Sequence, residues 1–178
     1  REKMKNNNCI LCRSSNKSVV AEQAFEDEYL TLIDRNLNKL DRAWVKCDSC
    51  QLIYHDPQLE EVETDILYAK FRNASFRGET ADEYFDKIIS IPKSESENHI
   101  KVRWLSDQIS NHLNNGGNIL DIGSGGGVFL YTFLQENKSW IPYGVEPTIE
   151  FAELTQKQLN CPVHAGSYSR DIFNTKFD

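Results

Sequence analysis

The chain has 178 residues, of which 39% are hydrophobic and 26% charged, enough for one medium domain and a small module. A formal net charge of −7 argues against a general nucleic-acid binder, which presents a basic face. No apolar run approaches the roughly 18 residues that cross a bilayer, and the polar start Arg1–Asn8 lacks the apolar stretch of a leader peptide, so a cytoplasmic location and no membrane partner are expected.

Residues 1–57 carry four of the five cysteines. Strand-like runs are expected at Ser18-Val19-Val20, at Tyr29 to Ile33, at Ala43-Trp44-Val45 and at Leu52-Ile53-Tyr54, with Pro57 closing the region. Disulfides are rare in the expected compartment, so the cysteines need another use. Cys9-Ile10-Leu11-Cys12 and Cys47-Asp48-Ser49-Cys50 supply it. Two residues between thiolates let one turn present both sulfurs to one metal, and two such turns complete a tetrahedral zinc site. Four sulfurs leave no open position, so Cys9, Cys12, Cys47 and Cys50 are expected to hold a structural zinc, with iron as the other metal such a set takes. Turns of this kind often carry glycine after the second cysteine, where this chain has Arg13 and Gln51. Nine lysines and arginines balance nine acids in residues 1–57, so the module lacks the electrostatic footprint of a phosphate binder. Cys161 stands alone and reads as a small buried residue.

Residues 58–115 read as a helical linker. Leu59, Val62, Ile66, Leu67, Tyr68 and Phe71 make one helical stripe; Asn73 to Thr80 reads as a loop; Ala81 to Ile89 predicts a short helix ending before Pro92. Ser94 to Glu97 predicts a helix start, and Ile100, Trp104, Leu105, Ile109 and Leu113 an apolar stripe with Trp104 in the core, closed by Asn114 to Gly117. Tyr84-Phe85 reads as a helical aromatic pair that the core buries, and Arg103 as a solvated side chain. His99, His112 and His164 have no partner that the sequence identifies.

Residues 116–178 alternate strand and helix: strand 118–122, helix 128–136, strand 140–145, helix 148–159 capped by Thr148, strand 162–165, and a fourth strand beginning at Phe177-Asp178. Such units build a parallel sheet with right-handed crossovers, a Rossmann-like α/β fold. The run Asp121-Ile122-Gly123-Ser124-Gly125-Gly126-Gly127 sits at the strand-to-helix turn, where open α/β sheets bind ligands. No lysine follows it, as a phosphate loop needs, and a Gly-x-Gly-x-x-Gly reading from Gly123 fails at Val128. The pattern that fits is Asp-x-Gly-x-Gly-x-Gly, and the next strand closes on a second acid in Tyr143-Gly144-Val145-Glu146-Pro147.

These two segments resemble the cofactor-binding motifs of class I S-adenosylmethionine (SAM) dependent methyltransferases. The resemblance implies that Asp121 faces the cofactor's amino-acid end, that Gly123, Ser124, Gly125 and Gly127 cradle its methionine and ribose, and that Glu146 takes the ribose hydroxyls. It also makes Ser167 a candidate near the adenine, Arg103 one for the cofactor's carboxylate, and Tyr84-Phe85 part of a lid over the cofactor. With the cysteine module and Cys50-Gln51-Leu52-Ile53-Tyr54-x-x-Pro57, the chain resembles bacterial members encoded with sugar, polysaccharide or natural-product pathways. The expected fold is thus a partial methyltransferase core of residues 116–178 behind a zinc-binding β module and a linker. Methyl transfer to O, N or C of a small acceptor, such as a sugar or nucleotide-sugar, is the implied activity. Family cores have seven strands, so this one reads as cut before the fourth, to be completed by further sequence, another chain or a second copy; the catalytic residues would lie beyond Asp178 and none is assigned. Two other readings compete: a zinc-dependent interaction module with a non-catalytic nucleotide fold, and a nucleic-acid methyltransferase that reads with its zinc module.

Overall fold

The computed structural model describes residues 8–22, 27–33, 42–71, 78–109 and 115–178. Readings that fall on His112, Leu113, Asn114 and most of the 73–80 loop lie outside the described residues. The chain divides into two compact units, Arg1–Phe71 and Arg72–Asp178, so the first linker helix belongs with the cysteines and the other two with the parallel sheet.

In the first unit, β1 (Lys17–Glu22), β2 (Ala43–Cys47) and β3 (Ile53–Asp56) form an antiparallel sheet in that order. Val45 and Tyr54 face each other across β2 and β3 and, with Cys9 and Cys47, make a small buried core. β1 is an edge strand, with Val19 and Val20 exposed. The run from Tyr29 is not a strand. Asp27 accepts the Tyr29 N–H through Oδ1 at 3.0 Å, and its carbonyl takes the Leu30 N–H at 3.1 Å, which winds Glu28–Leu32 into a 3-10 turn with Leu30 buried. Helix α1 (Glu61–Phe71) follows and buries no residue completely; Ile66 and Leu67 are half-buried, whereas Val62 of the expected stripe is exposed.

The second unit opens with α2 (Ala81–Ile89), which occupies the predicted span. Thr80 and Glu83 cap it reciprocally, each side chain taking the other's backbone N–H. Helix α3 (Glu97–Gln108) is capped by Ser96, whose Oγ accepts the His99 N–H. Its buried stripe is Val102, with Leu105 and Ile109 beside it, while Ile100 and Trp104 are 56% and 63% exposed. The predicted stripe mixed two faces, and Trp104, expected in the core, lies off the buried side, which the smaller Val102 fills by packing on Phe133 and Trp140.

The parallel sheet is β4 (Asn118–Ile122), β5 (Ile141–Glu146) and β6 (Val163–Ala165), in that order, with α4 (Val128–Glu136) and α5 (Ile149–Leu159) as crossovers. Leu130 and Phe133 of α4 and Phe151 and Leu154 of α5 are its main buried residues, and Phe85 of α2 packs in the same core as Phe151. Thr148 stands at the start of α5, but its side chain makes no capping bond; the Thr148 N–H is instead held by Glu146 Oε1 at 2.9 Å. Phe177-Asp178 forms no strand. Asp178 donates its N–H to the Asn118 carbonyl at 3.1 Å, and its Oδ2 accepts the Asn118 N–H at 3.0 Å, beside β4.

Candidate functional sites

The glycine turn is held from every side. The Val145 carbonyl accepts the N–H groups of Gly123 and Ser124, at 2.8 and 3.0 Å, and the Ser124 carbonyl takes that of Gly127 at 2.9 Å. Glu146, 3% exposed, accepts the Gly125 N–H on Oε2 at 2.8 Å and the Thr148 N–H on Oε1, tying the turn to the start of α5. Thr155 donates its hydroxyl to the Gly125 carbonyl at 3.0 Å. Gly123, Gly125 and Gly127 have φ of 81°, 53° and 76°, a region costly for residues with a Cβ.

A cavity of ≈ 390 Å³ opens beside this turn. Asp121, Gly123, Ser124 and Gly125 line it from the turn, and Tyr84 of α2 and Lys101 of α3 line it as well. Burial pushes the Asp121 carboxyl above its ordinary range, the neighbouring Glu146 charge adds to this, and Lys101 opposes both. The cavity therefore offers one acidic and one basic group beside a preformed backbone surface.

The predicted residues fall into two groups. Asp121, Gly123, Ser124 and Gly125 line the cavity; Gly127 and Glu146 do not. Gly127 is where the turn meets α5: a Cβ there would stand 2.7 Å from Thr155 Cγ2. Ser167 and Arg103 are exposed and do not line the cavity. Sequence reasoning missed Asn98 and Lys101, which share one face of α3 at i,i+3 spacing and line the cavity where Arg103 was expected. Of the aromatic pair, Tyr84 lines the cavity and Phe85 is core.

In the first unit the Sγ atoms of Cys9, Cys12, Cys47 and Cys50 all lie within 4.8 Å of one another. The Cys9–Cys50 and Cys12–Cys47 pairs are each 3.5 Å apart, too long for a disulfide at about 2.05 Å and close to the ~3.8 Å between thiolates on a tetrahedral zinc with Zn–S of about 2.3 Å. The donor set fits the metal. The two turns share their backbone: the Arg13 N–H bonds the Cys9 carbonyl at 2.8 Å and the Gln51 N–H the Cys47 carbonyl at 2.9 Å. Backbone N–H groups of Cys50 and, after the opposing effect of burial, Ser49 draw the Cys47 thiol down to about 6, while, against the lowering Leu52 N–H, burial and the neighbouring thiols push that of Cys50 up to about 12, so the four sulfurs share their protons as one set.

Arg13 and Gln51 have φ of 63° and 66°, so the positions where such turns favour glycine do adopt the left-handed conformation, with side chains in place. Arg13→Gly and Gln51→Gly are each expected to raise the stability of the first unit, by up to about 1 kcal/mol once the greater chain entropy of glycine is subtracted. Denaturant melts of the two variants check this.

No family model matches the chain. The nonribosomal peptide synthetase penN of Penicillium thymicola is 31% identical over 75 residues, which are 42% of this chain and 3% of that protein. Among solved structures, Streptomyces venezuelae DesVI is similar with a TM-score of 0.40 and 19% identity, over 55% of this chain and 39% of that one. Coclaurine N-methyltransferase, solved with N-methylheliamine and SAH, is similar with a TM-score of 0.41 and 15% identity, over 68% of this chain and 42% of that one. The chain thus spans less than half the length of each of these three proteins.

Proposed function

We propose that the second unit binds SAM in the cavity beside Gly123 and that the protein transfers its methyl group to a small acceptor, with a sugar or nucleotide-sugar as the favoured class. The observation that carries this reading is how the turn spends its backbone. A loop that cradles phosphates presents free N–H groups to them. Here the N–H groups of Gly123, Ser124, Gly125 and Gly127 are all bonded within the protein. With four of the five amides from Gly123 to Gly127 committed, the turn has little left for phosphates and offers its glycine backbone for close packing, which suits a nucleoside without phosphates. The cavity's charges suit the rest of that cofactor: Asp121 for its ammonium and sulfonium, Lys101 for its carboxylate. Glu146 would reach the ribose hydroxyls only through the second lone pairs of oxygens already committed to the turn, so we assign it first to holding the turn.

On this reading SAM supplies an electrophilic methyl group, and the chain's part is to hold and orient it for in-line attack. No residue of this chain is assigned as the base. The zinc is structural, and its closed four-sulfur shell leaves no position for substrate.

Because the Asp121 carboxyl is held above its ordinary range, SAM affinity is expected to fall with acidification earlier than an ordinary aspartate would dictate. The sign follows from the cofactor's positive groups, which favour the ionised carboxylate; protonation removes that attraction. Asp121→Asn is expected to bind weakly and without this pH dependence. Calorimetric titration of SAM between neutral pH and the mildly acidic range checks both, and a wild-type affinity that does not respond to acid would count against Asp121.

A further inference from the structure

The first unit has a second cavity, of ≈ 330 Å³, that the methyl-transfer reading does not use. Its walls include Tyr29, Leu59, Leu67, Tyr68 and Phe71, and Arg42 also lines it. Phe71 stands edge-on to Tyr29 at 6.1 Å and to Tyr68 at 5.4 Å between ring centroids. Arg42 is only 8% exposed, a costly place for a guanidinium unless its donors are satisfied.

They are satisfied in part. Arg42 Nε donates to the Pro57 carbonyl at 3.4 Å, and Nη2 donates to His55 Nδ1 at 2.9 Å. Nη1 lies 3.6 Å from Asp27 Oδ2, beyond hydrogen-bond reach. A guanidinium has five N–H groups, so among the described residues both groups on Nη1 and one on Nη2 lack an acceptor. The net charge needs no further anion, because Asp27 stands beside Arg42. His55 stays uncharged, its pKa lowered by burial and then by Arg42, as an acceptor of that bond must be. Among the described residues the remaining Arg42 donors meet no neutral oxygen, and a carboxylate would meet the like charge of Asp27. Aromatic walls at right angles to one another favour a flat ligand that can stack on one ring and meet the edge of the next.

We propose that this cavity binds a planar, uncharged ring bearing carbonyl oxygens, of the cyclic amide and imide class, with its carbonyls on Arg42 and its faces against Tyr29, Tyr68 and Phe71. The inference concerns the first unit alone and does not depend on SAM binding in the second.

The test is a titration of the full chain with uracil and, separately, with benzoate, followed by ligand saturation transfer and by the Nε–H resonance of Arg42. Saturable uracil binding that shifts this resonance, with benzoate at least about ten-fold weaker, is the expected result. Arg42→Met is expected to weaken uracil roughly ten-fold or more. Tyr68, 41% exposed, can be removed without opening the core, so Tyr68→Ala decides the matter if Arg42→Met does not fold: weaker uracil binding supports the site, and unchanged binding overturns it. Absence of saturable uracil binding, or a preference for benzoate, also overturns it.

Discussion

Cys47→Ser is expected to remove the fold of the first unit while leaving that of the second in place. The first unit's buried cluster is Cys9, Val45, Cys47 and Tyr54, so half of it consists of two of the four sulfur residues. With so few buried apolar side chains among its described residues, the unit would depend on a metal held by the four sulfurs. Losing a ligand should weaken zinc by more than roughly hundred-fold, beyond the 10–100-fold that loss of an outer-shell partner costs. Metal titration with a chromophoric chelator gives the affinity, and limited proteolysis shows which unit opens. Cys161→Ser is the matched control: Cys161 lies in the second unit, is buried, and its thiol is pushed up to about 11 by that burial, so zinc affinity should not change. If Cys47→Ser binds zinc like wild type, the four-sulfur site is wrong.

The second large effect separates two glycines, Gly123 and Gly127, in function as well as position. Gly127→Ala places a Cβ 2.7 Å from Thr155 Cγ2 at φ 76°. The left-handed backbone costs about 1–2 kcal/mol and the collision about 1–3 kcal/mol, so a loss near 3 kcal/mol is expected in the second unit. Thr155 cannot simply move away, because its hydroxyl bonds the Gly125 and Phe151 carbonyls, each at 3.0 Å. At Gly123, φ is 81° but a Cβ would meet nothing within 4 Å. Gly123→Ala should therefore cost only the backbone strain, about 1–2 kcal/mol, yet put a methyl group into the proposed cofactor surface and weaken SAM more than ten-fold. Paired denaturation and SAM titration of the two variants check this. A Gly123→Ala protein that binds SAM normally would remove the turn from the site.

The two glycines also show where sequence reading stops. The motif marked the whole turn, and helices 81–89 and 128–136 occupy their predicted spans, because strong local signals (the Thr80–Glu83 capping pair, the glycine run) coincide with the tertiary structure. What the motif could not divide is which glycine faces ligand and which faces α5; that depends on Thr155, 28 positions beyond Gly127 in the sequence. Glu146 raises the same difficulty: an acid closing a strand suggests a ribose partner, but here it is spent on the N–H groups of Gly125 and Thr148. Lys101 was hidden by a phase error of part of a helical turn, since the stripe read through Trp104 turned α3 away from its true buried side at Val102. The strand expected at Tyr29 to Ile33 failed because β-rich composition weighed more than Asp27, whose two oxygen-to-N–H bonds wind the chain locally. The clustering of the cysteine pairs, in contrast, was legible: two close-spaced pairs suffice to place four sulfurs together.

Native mass spectrometry of the full chain with SAM and, separately, with NAD tests the central claim most directly. The account predicts a species carrying one zinc and one SAM, with no NAD adduct. A chain that takes up NAD, or that carries zinc but no SAM both as this chain and in a longer form of the same sequence, would contradict it.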